Sequence, residues 1–350
     1  MPAKFVYLNP SCRITRVRRL PAAGKVLVTN GQPVSTNEVI ASIEVPEKHL
    51  ELNIPELLGI ESSRTDDVFV VKTGDPVQTG TLIARKSGLF AKKVTSPVDG
   101  RIVDITNGKV IVEHGSNPIV VKAGFTGSVR EVIPNIGAII ISEGALLQGV
   151  WGNRRMAEGL MICIARNRVE ELTPERMDVN LRGSVVFGGP CMKGEVLRRA
   201  EEIPLRGLVV SGIAADLLDY ACTMTIPIMS LIGVGKAVFD EHTFNIISTM
   251  DKRVACVNAT AWDRCLGSRP EVVIPKRDTK PQSEANEEVE YKAGQLVRIL
   301  QSPLWETARI KSLLPEERVY PSGFVAQSAL CILGNGEEIV QPLVNLEVIL

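Results

Sequence analysis

From residue 183 onward the chain alternates short apolar runs with amphipathic stretches. Gly183-Ser-Val-Val-Phe-Gly188-Gly189 is an apolar run bounded by glycine, and in the following Cys191 to Glu202 the residues Val196, Leu197, Ala200 and Ile203 fall on one helical face. The pattern then repeats. Arg206 to Gly212 reads as a strand and Ala214 to Cys222 as a helix, then Pro227 to Gly233 as a strand and Phe239 to Met250 as a helix, with Val254 to Asn258 as a fourth strand. Strands alternating with helices of roughly ten residues predict βαβ units, a parallel sheet and right-handed crossovers. Ala138 to Ser142 and Leu160 to Ala165 are further apolar runs that would flank this sheet.

The first 125 residues have a different period. They are short β-branched runs, among them Val26 to Thr29 and Val68 to Val71, punctuated by Gly31-Gln-Pro33 and Gly74-Asp-Pro76 turns. Two stretches are nearly the same: Val28-Thr-Asn-Gly31-Gln-Pro33-Val34-Ser-Thr36-Asn-Glu-Val39-Ile40-Ala41 and Val71-Lys-Thr-Gly74-Asp-Pro76-Val77-Gln-Thr79-Gly-Thr-Leu82-Ile83-Ala84. A repeat of this kind marks two copies of one supersecondary unit. Pro55 to Gly59 reads as one short helix between them.

The second copy, Gly74-Asp-x-Val77-x-x-Gly80-x-Leu82-Ile83, is followed by Ser96-Pro97-Val98-Asp99-Gly100-x-Ile102. Together these motifs resemble the biotinyl/lipoyl-type barrel-sandwich hybrid over residues 20–125. The resemblance implies two quasi-symmetric units closing a flattened β-barrel. Carrier members of that family present a modifiable lysine at a hairpin tip between the two motifs. Here that stretch is Arg85-Lys86-Ser87-Gly88-Leu89-Phe90-Ala91, with Ser87-Gly88 at the tip and Lys86 off it, without flanking methionines. Lys92 and Lys93 lie on the departing strand. The expectation is a non-carrier variant with no covalent biotin or lipoate.

Residues 276–290 are polar, charged and poor in large apolar side chains, which predicts a linker. Beyond them, Gly294-x-x-Val297-Arg298-Ile299, a variable loop, a strand–Asn335-Gly336–strand unit and Asn345-Leu-Glu347 resemble a KOW-type SH3-like barrel over 291–350. Pro303-Leu-Trp305-Glu stands where such motifs usually carry a glycine. The predicted architecture is thus multidomain α/β plus β. It comprises a barrel-sandwich hybrid (1–125), a parallel-sheet α/β domain (126–275), a linker (276–290) and an SH3-like barrel (291–350).

Forty basic and forty acidic residues cancel, so no global field draws the chain to nucleic acid or a membrane. In 291–350 five basic residues face six acidic ones, which favours a protein contact over RNA for that module. Arg13, Arg16, Arg18, Arg19 and Lys25, close to Lys4, make a basic N-terminal run that points to nucleic acid, with a solvated face over Arg16 to Arg19 as the alternative. The seven cysteines, Cys265 among them, are scattered without a Cys-x-x-Cys. Free thiols in a reducing compartment follow, and with no apolar h-region and no membrane-length apolar run the expected location is the cytoplasm.

Candidate chemistry gathers at the carboxyl ends of the α/β strands, where ligands bind in open parallel sheets. Gly188, Gly189, Gly212, Gly233 and Gly235 would let backbone approach an anionic small molecule. Lys193 and Lys236 offer countercharge near helix N-termini, and Ser211, Asp216 and Asn258 offer hydrogen bonds. Cys191, at a helix start, would have a lowered pKa. Against a site stands the commonness of glycine at tight βα turns. No phosphate-cradling motif, catalytic triad or metal-ligand spacing occurs. The reading favoured is a non-catalytic scaffold or adaptor making protein contacts. The alternatives are an enzyme or sensor of an anionic small molecule, and an RNA- or ribosome-associated protein acting through the KOW-like module.

Overall fold

The repeated turns are built alike. Gly31 and Gly74 both take left-handed φ, at 80° and 96°, and each donates its N–H across to a neighbouring strand, to Val129 and Ile102, at 2.7 Å in both cases. The side chains of Gln32 and Asp75 accept from the backbone N–H of Thr29 and Lys72, tying each turn to itself. Pro33–Val34 and Pro76–Val77 follow as two-residue strands with Val34 and Val77 buried. A glycine that relieves the steric cost of positive φ, then a proline with fixed φ, explains why the motif recurs in register.

This computed structural model describes residues 6–45, 48–61, 67–87, 91–115, 117–263, 268–276, 289–300 and 307–350. Lys4, Gly88 of the hairpin tip, Cys265, the Pro303-Leu-Trp305-Glu stretch and most of the expected linker lie outside these residues. The chain divides into two units: Leu20–Val26 with Ala41–Val121, and Met1–Arg19 with Leu27–Ile40 and Lys122–Leu350.

In the smaller unit, Lys48–Asn53, Lys109–His114, Gly100–Thr106 and Pro76–Val77 form one sheet in that order, and Leu82–Lys86 pairs with Lys92–Thr95 in a hairpin. The helix Ile54–Leu58 carries Pro55 in its first turn, where the missing N–H costs nothing, and stops at Gly59 in the left-handed region. Ile54, Leu58, Val77, Ile83, Ile102, Val110 and Val112 fill the core.

Among its described residues the larger unit carries a continuous sheet of 16 strands. Its α/β part contains Met156–Cys163, Ser184–Gly188, Gly207–Ile213 and Ile228–Val234, parallel and side by side in chain order. Helices Gly194–Glu202 and Leu218–Thr223 pack on one face, where Val186, Leu208, Val210 and Ile228 meet Val196, Leu197 and Ala221. Helix Glu241–Thr249, capped by Asp240 accepting from the Thr243 N–H, belongs to the opposite core with Val185, Phe187, Val209 and Met229. The period of two along each strand sends alternate side chains to the two layers.

Two expectations change here. Val254–Asn258 is not a fourth parallel strand. It runs antiparallel to Met156–Cys163, with Asn258 opposite Met156, and the fourth parallel strand is Met156–Cys163 itself. The N-terminal strand Val6–Arg19 also lies in the larger unit rather than in the barrel-sandwich domain. It pairs antiparallel with Gly137–Gln148 and parallel with Leu346–Ile349. Its side chains Tyr7, Leu8, Cys12 and Ile14 are buried, which a long strand achieves only between two neighbours in a covered sheet.

The C-terminal residues continue the same sheet in the order Leu346–Ile349, Leu296–Ile299, Thr307–Leu313, Ser328–Leu333, Glu338–Pro342, with a 3-10 turn at Leu343–Asn345. They are fixed rather than free: Glu347 accepts from both Arg298 and Arg269, all three buried, and Arg269 also donates to the Gly149 carbonyl. No helix among the described residues is long and apolar enough to cross a membrane.

Candidate contact site

The expected crevice at the carboxyl ends of the parallel strands is packed by the protein itself. A Cβ on Gly189 would collide with the Glu170 carbonyl oxygen, one on Gly188 would press on the Leu172 side chain, and one on Gly212 would strike the Gly235 carbonyl and the Ala237 nitrogen. Leu172 N–H donates to the Pro190 carbonyl at 2.9 Å, which holds the covering segment down. Gly189 and Gly212 admit neighbouring backbone, and Gly188 admits a leucine side chain.

The remaining candidates disperse. Ser211 is buried, and its hydroxyl donates to the Ala237 carbonyl at 2.7 Å. Gly233 is buried, and its carbonyl accepts from the Ser230 hydroxyl. Gly235 has φ of 100° in a turn with open space around it. Lys193 and Asp216 are exposed, and Lys236 forms an exposed ion pair with Glu171 at 3.3 Å. Asn258 ends an antiparallel strand opposite Met156, so it lies at the other edge of the sheet from the glycines. Cys191 is not activated. It bridges Ile213, with its N–H on the Gly212 carbonyl, and burial pushes its thiol up to about 12. No group of three or more His, Cys, Asp or Glu among the described residues is placed to hold a metal ion.

A half-buried polar cluster occupies another part of the larger unit. Glu158 accepts from the hydroxyls of Thr36 and Thr126, each at 2.7 Å, and from the Cys256 thiol at 3.9 Å. Burial works to raise the Glu158 carboxyl, but the two threonine hydroxyls and the thiol outweigh it and hold it below the usual range. The Cys256 thiol is pushed up, first by burial. Glu158 thus ties Thr36, Thr126 and Cys256 together across strands and loops of the unit.

Among the described residues, one outward-facing apolar feature is a small hairpin in the C-terminal module. Arg318–Val319 pairs with Val325–Ala326 around Pro321-Ser322-Gly323, where Gly323 turns with φ of 80° and Tyr320 N–H donates to the Phe324 carbonyl at 2.9 Å. Tyr320 is anchored by its hydroxyl 2.7 Å from that of Ser328. Val319, Phe324 and Val325 are nevertheless 67%, 49% and 48% exposed. Beside them Arg318, Val319, Tyr320, Pro321 and Val340 line a shallow groove of about 540 Å³. Apolar and aromatic side chains on a rigid turn, with one arginine, form a surface of the composition found in protein contacts. The Tyr-Pro-Ser-Gly-Phe run signals the turn in sequence; its exposure does not show there.

Residues 60–125 match the family model described as the RnfC barrel sandwich hybrid domain, so the N-terminal region contains a barrel-sandwich hybrid. No curated protein matches the chain. Among solved structures, the crystal structure of S-adenosylmethionine:2-dimethylmenaquinone methyltransferase from Geobacillus kaustophilus HTA426 is 14% identical, over 39% of this chain and 92% of that one. At its TM-score of 0.25 the likeness carries no argument.

Proposed function

We propose that the chain is a non-catalytic scaffold or adaptor that holds protein partners in a larger assembly, of the Rnf-like kind that the matched barrel-sandwich domain suggests. The observation that carries this reading is the exposed apolar hairpin Arg318–Ala326 on a module fixed to the sheet by a buried ion network. A rigid mount spares a contact surface much of the ordering cost of binding. The order of the last five strands and the 3-10 turn before the final one support reading 291–350 as an SH3-like barrel used for protein contact. In the barrel-sandwich domain, Lys86 pairs with Lys92 at the last described rung of its hairpin, and on this reading no lysine there carries biotin or lipoate.

The test is co-purification from the native host of the intact chain and of a variant carrying Val319→Asp and Phe324→Ser. Both positions are exposed, so the variant should fold. The wild type should bring down stoichiometric protein partners and the variant should lose at least one of them. A monomeric wild type without partners, or a variant that keeps them all, overturns the reading.

A further inference from the structure

Strand Gly137–Gln148 changes neighbours partway along one edge. Its first half pairs with Gly127–Ile133 as far as Ile141 opposite Ser128, and its second half pairs with Glu271–Pro275 starting at Gly144 opposite Pro275. Val6–Arg19 runs along the other edge throughout. At the seam between the two partners the sheet opens into a groove of about 510 Å³. That is within the roughly 300–1,000 Å³ of small-molecule sites, which are mostly apolar with a few placed polar groups.

The lining has that character. Ile141, Pro33 and Pro275 are apolar, Ser128 brings a hydroxyl, and Arg13, Glu143 and Lys276 bring charge. Arg13 is 3.2 Å from Glu143, so those two charges cancel. Lys276 is exposed, and its backbone N–H donates to the Glu143 carbonyl at 2.8 Å, which pins the residue at the groove's end. Its ammonium has no ion pair among the described residues, leaving one net positive charge in the lining. We propose that this seam binds a small monocarboxylate with an apolar body, its carboxylate held by the Lys276 ammonium and the Ser128 hydroxyl and its body against Ile141, Pro33 and Pro275. The site is separate from the contact hairpin and does not depend on it.

Octanoate, octylamine and octanol, each below its aggregation limit, should be titrated calorimetrically into the full chain. Octanoate alone is expected to bind saturably. Lys276→Glu should weaken it by about tenfold or more, since charge reversal replaces attraction by repulsion. Lys236→Glu, at an exposed lysine of the α/β layer, should leave binding unchanged. Ile141→Trp, filling the groove, should abolish it, with circular dichroism checking that the variant folds. No saturable octanoate binding, equal binding of octylamine, or equal loss in Lys236→Glu overturns the assignment. A misfolded Ile141→Trp leaves the decision to the two lysine variants.

Discussion

The guanidinium carbon of Arg298 lies 3.8 Å from the ring centroid of Tyr7, and both side chains are buried. Tyr7 sits on the N-terminal strand and Arg298 in the C-terminal module, so the stack ties the two ends of the larger unit through a cation–π contact. Glu347 receives Arg298 on its other side, and Arg269 as well. Burial raises the Tyr7 hydroxyl well above its ordinary range, although Arg298 pulls the other way.

Removing the shared carboxylate leaves two buried guanidinium groups without their counter-ion. Glu347→Gln should therefore destabilise by about 3–5 kcal/mol, the usual cost of breaking a buried pair. Denaturant unfolding followed by tryptophan fluorescence would measure it, and a loss below about 1 kcal/mol would show that the network is not structural.

Acid should attack the same networks. Burial works to raise the carboxyls of Glu347 and Glu271, but Arg298 and Arg269 in one case, and Arg16 and Arg18 in the other, outweigh it and hold both below the usual range. A carboxyl whose pKa is lower folded than unfolded contributes fully above the unfolded value of about 4.3, and the contribution is lost as pH falls through the folded value. Stability should thus drop steeply below about pH 4.3, and Glu271→Gln should flatten that limb in a pH series of urea melts.

The equivalent glycines offer a paired test. A Cβ on Gly31 or Gly74 meets nothing within 4 Å, so only positive φ opposes substitution. Valine at either position should cost more than about 1 kcal/mol, and by similar amounts, in thermal melts. Gly189→Ala should cost more than either, because its Cβ would collide with the Glu170 carbonyl, which is backbone and yields little.

Thiol labelling distinguishes a buried Cys191 from a reactive one. At neutral pH iodoacetamide should modify the exposed Cys222 and spare Cys191, whose thiol burial keeps protonated up to about 12. Peptide mass spectrometry of native protein would read this. Rapid alkylation of Cys191 would restore it as a nucleophile.

Much of the architecture was legible from local signals. The repeat, its glycines, the barrel-sandwich motifs and the alternation of strand and helix from Ser184 to Thr249 all rest on side-chain periodicity and turn chemistry, which neighbours in sequence dictate. The candidate crevice was not legible in the same way. Gly188, Gly189 and Gly212 look alike whether a ligand or a backbone carbonyl fills the space their missing Cβ leaves. Only the placement of Glu170, Leu172 and Ala237, which come from elsewhere in the chain, decided that the protein itself fills it.

What the sequence determined by itself was therefore which segments alternate as strand and helix from Ser184 to Thr249 and which face each buries, because those depend on spacing along the chain. Tertiary structure alone decided that Val254–Asn258 runs antiparallel, that Val6–Arg19 leaves the repeat region to join Gly137–Gln148 and Leu346–Ile349, and that Arg269, Arg298 and Glu347 meet in one core. Strand direction and partner choice are set by which surfaces can be buried together across long sequence separations, and a buried charge is tolerated only where its counter-ion arrives from another strand.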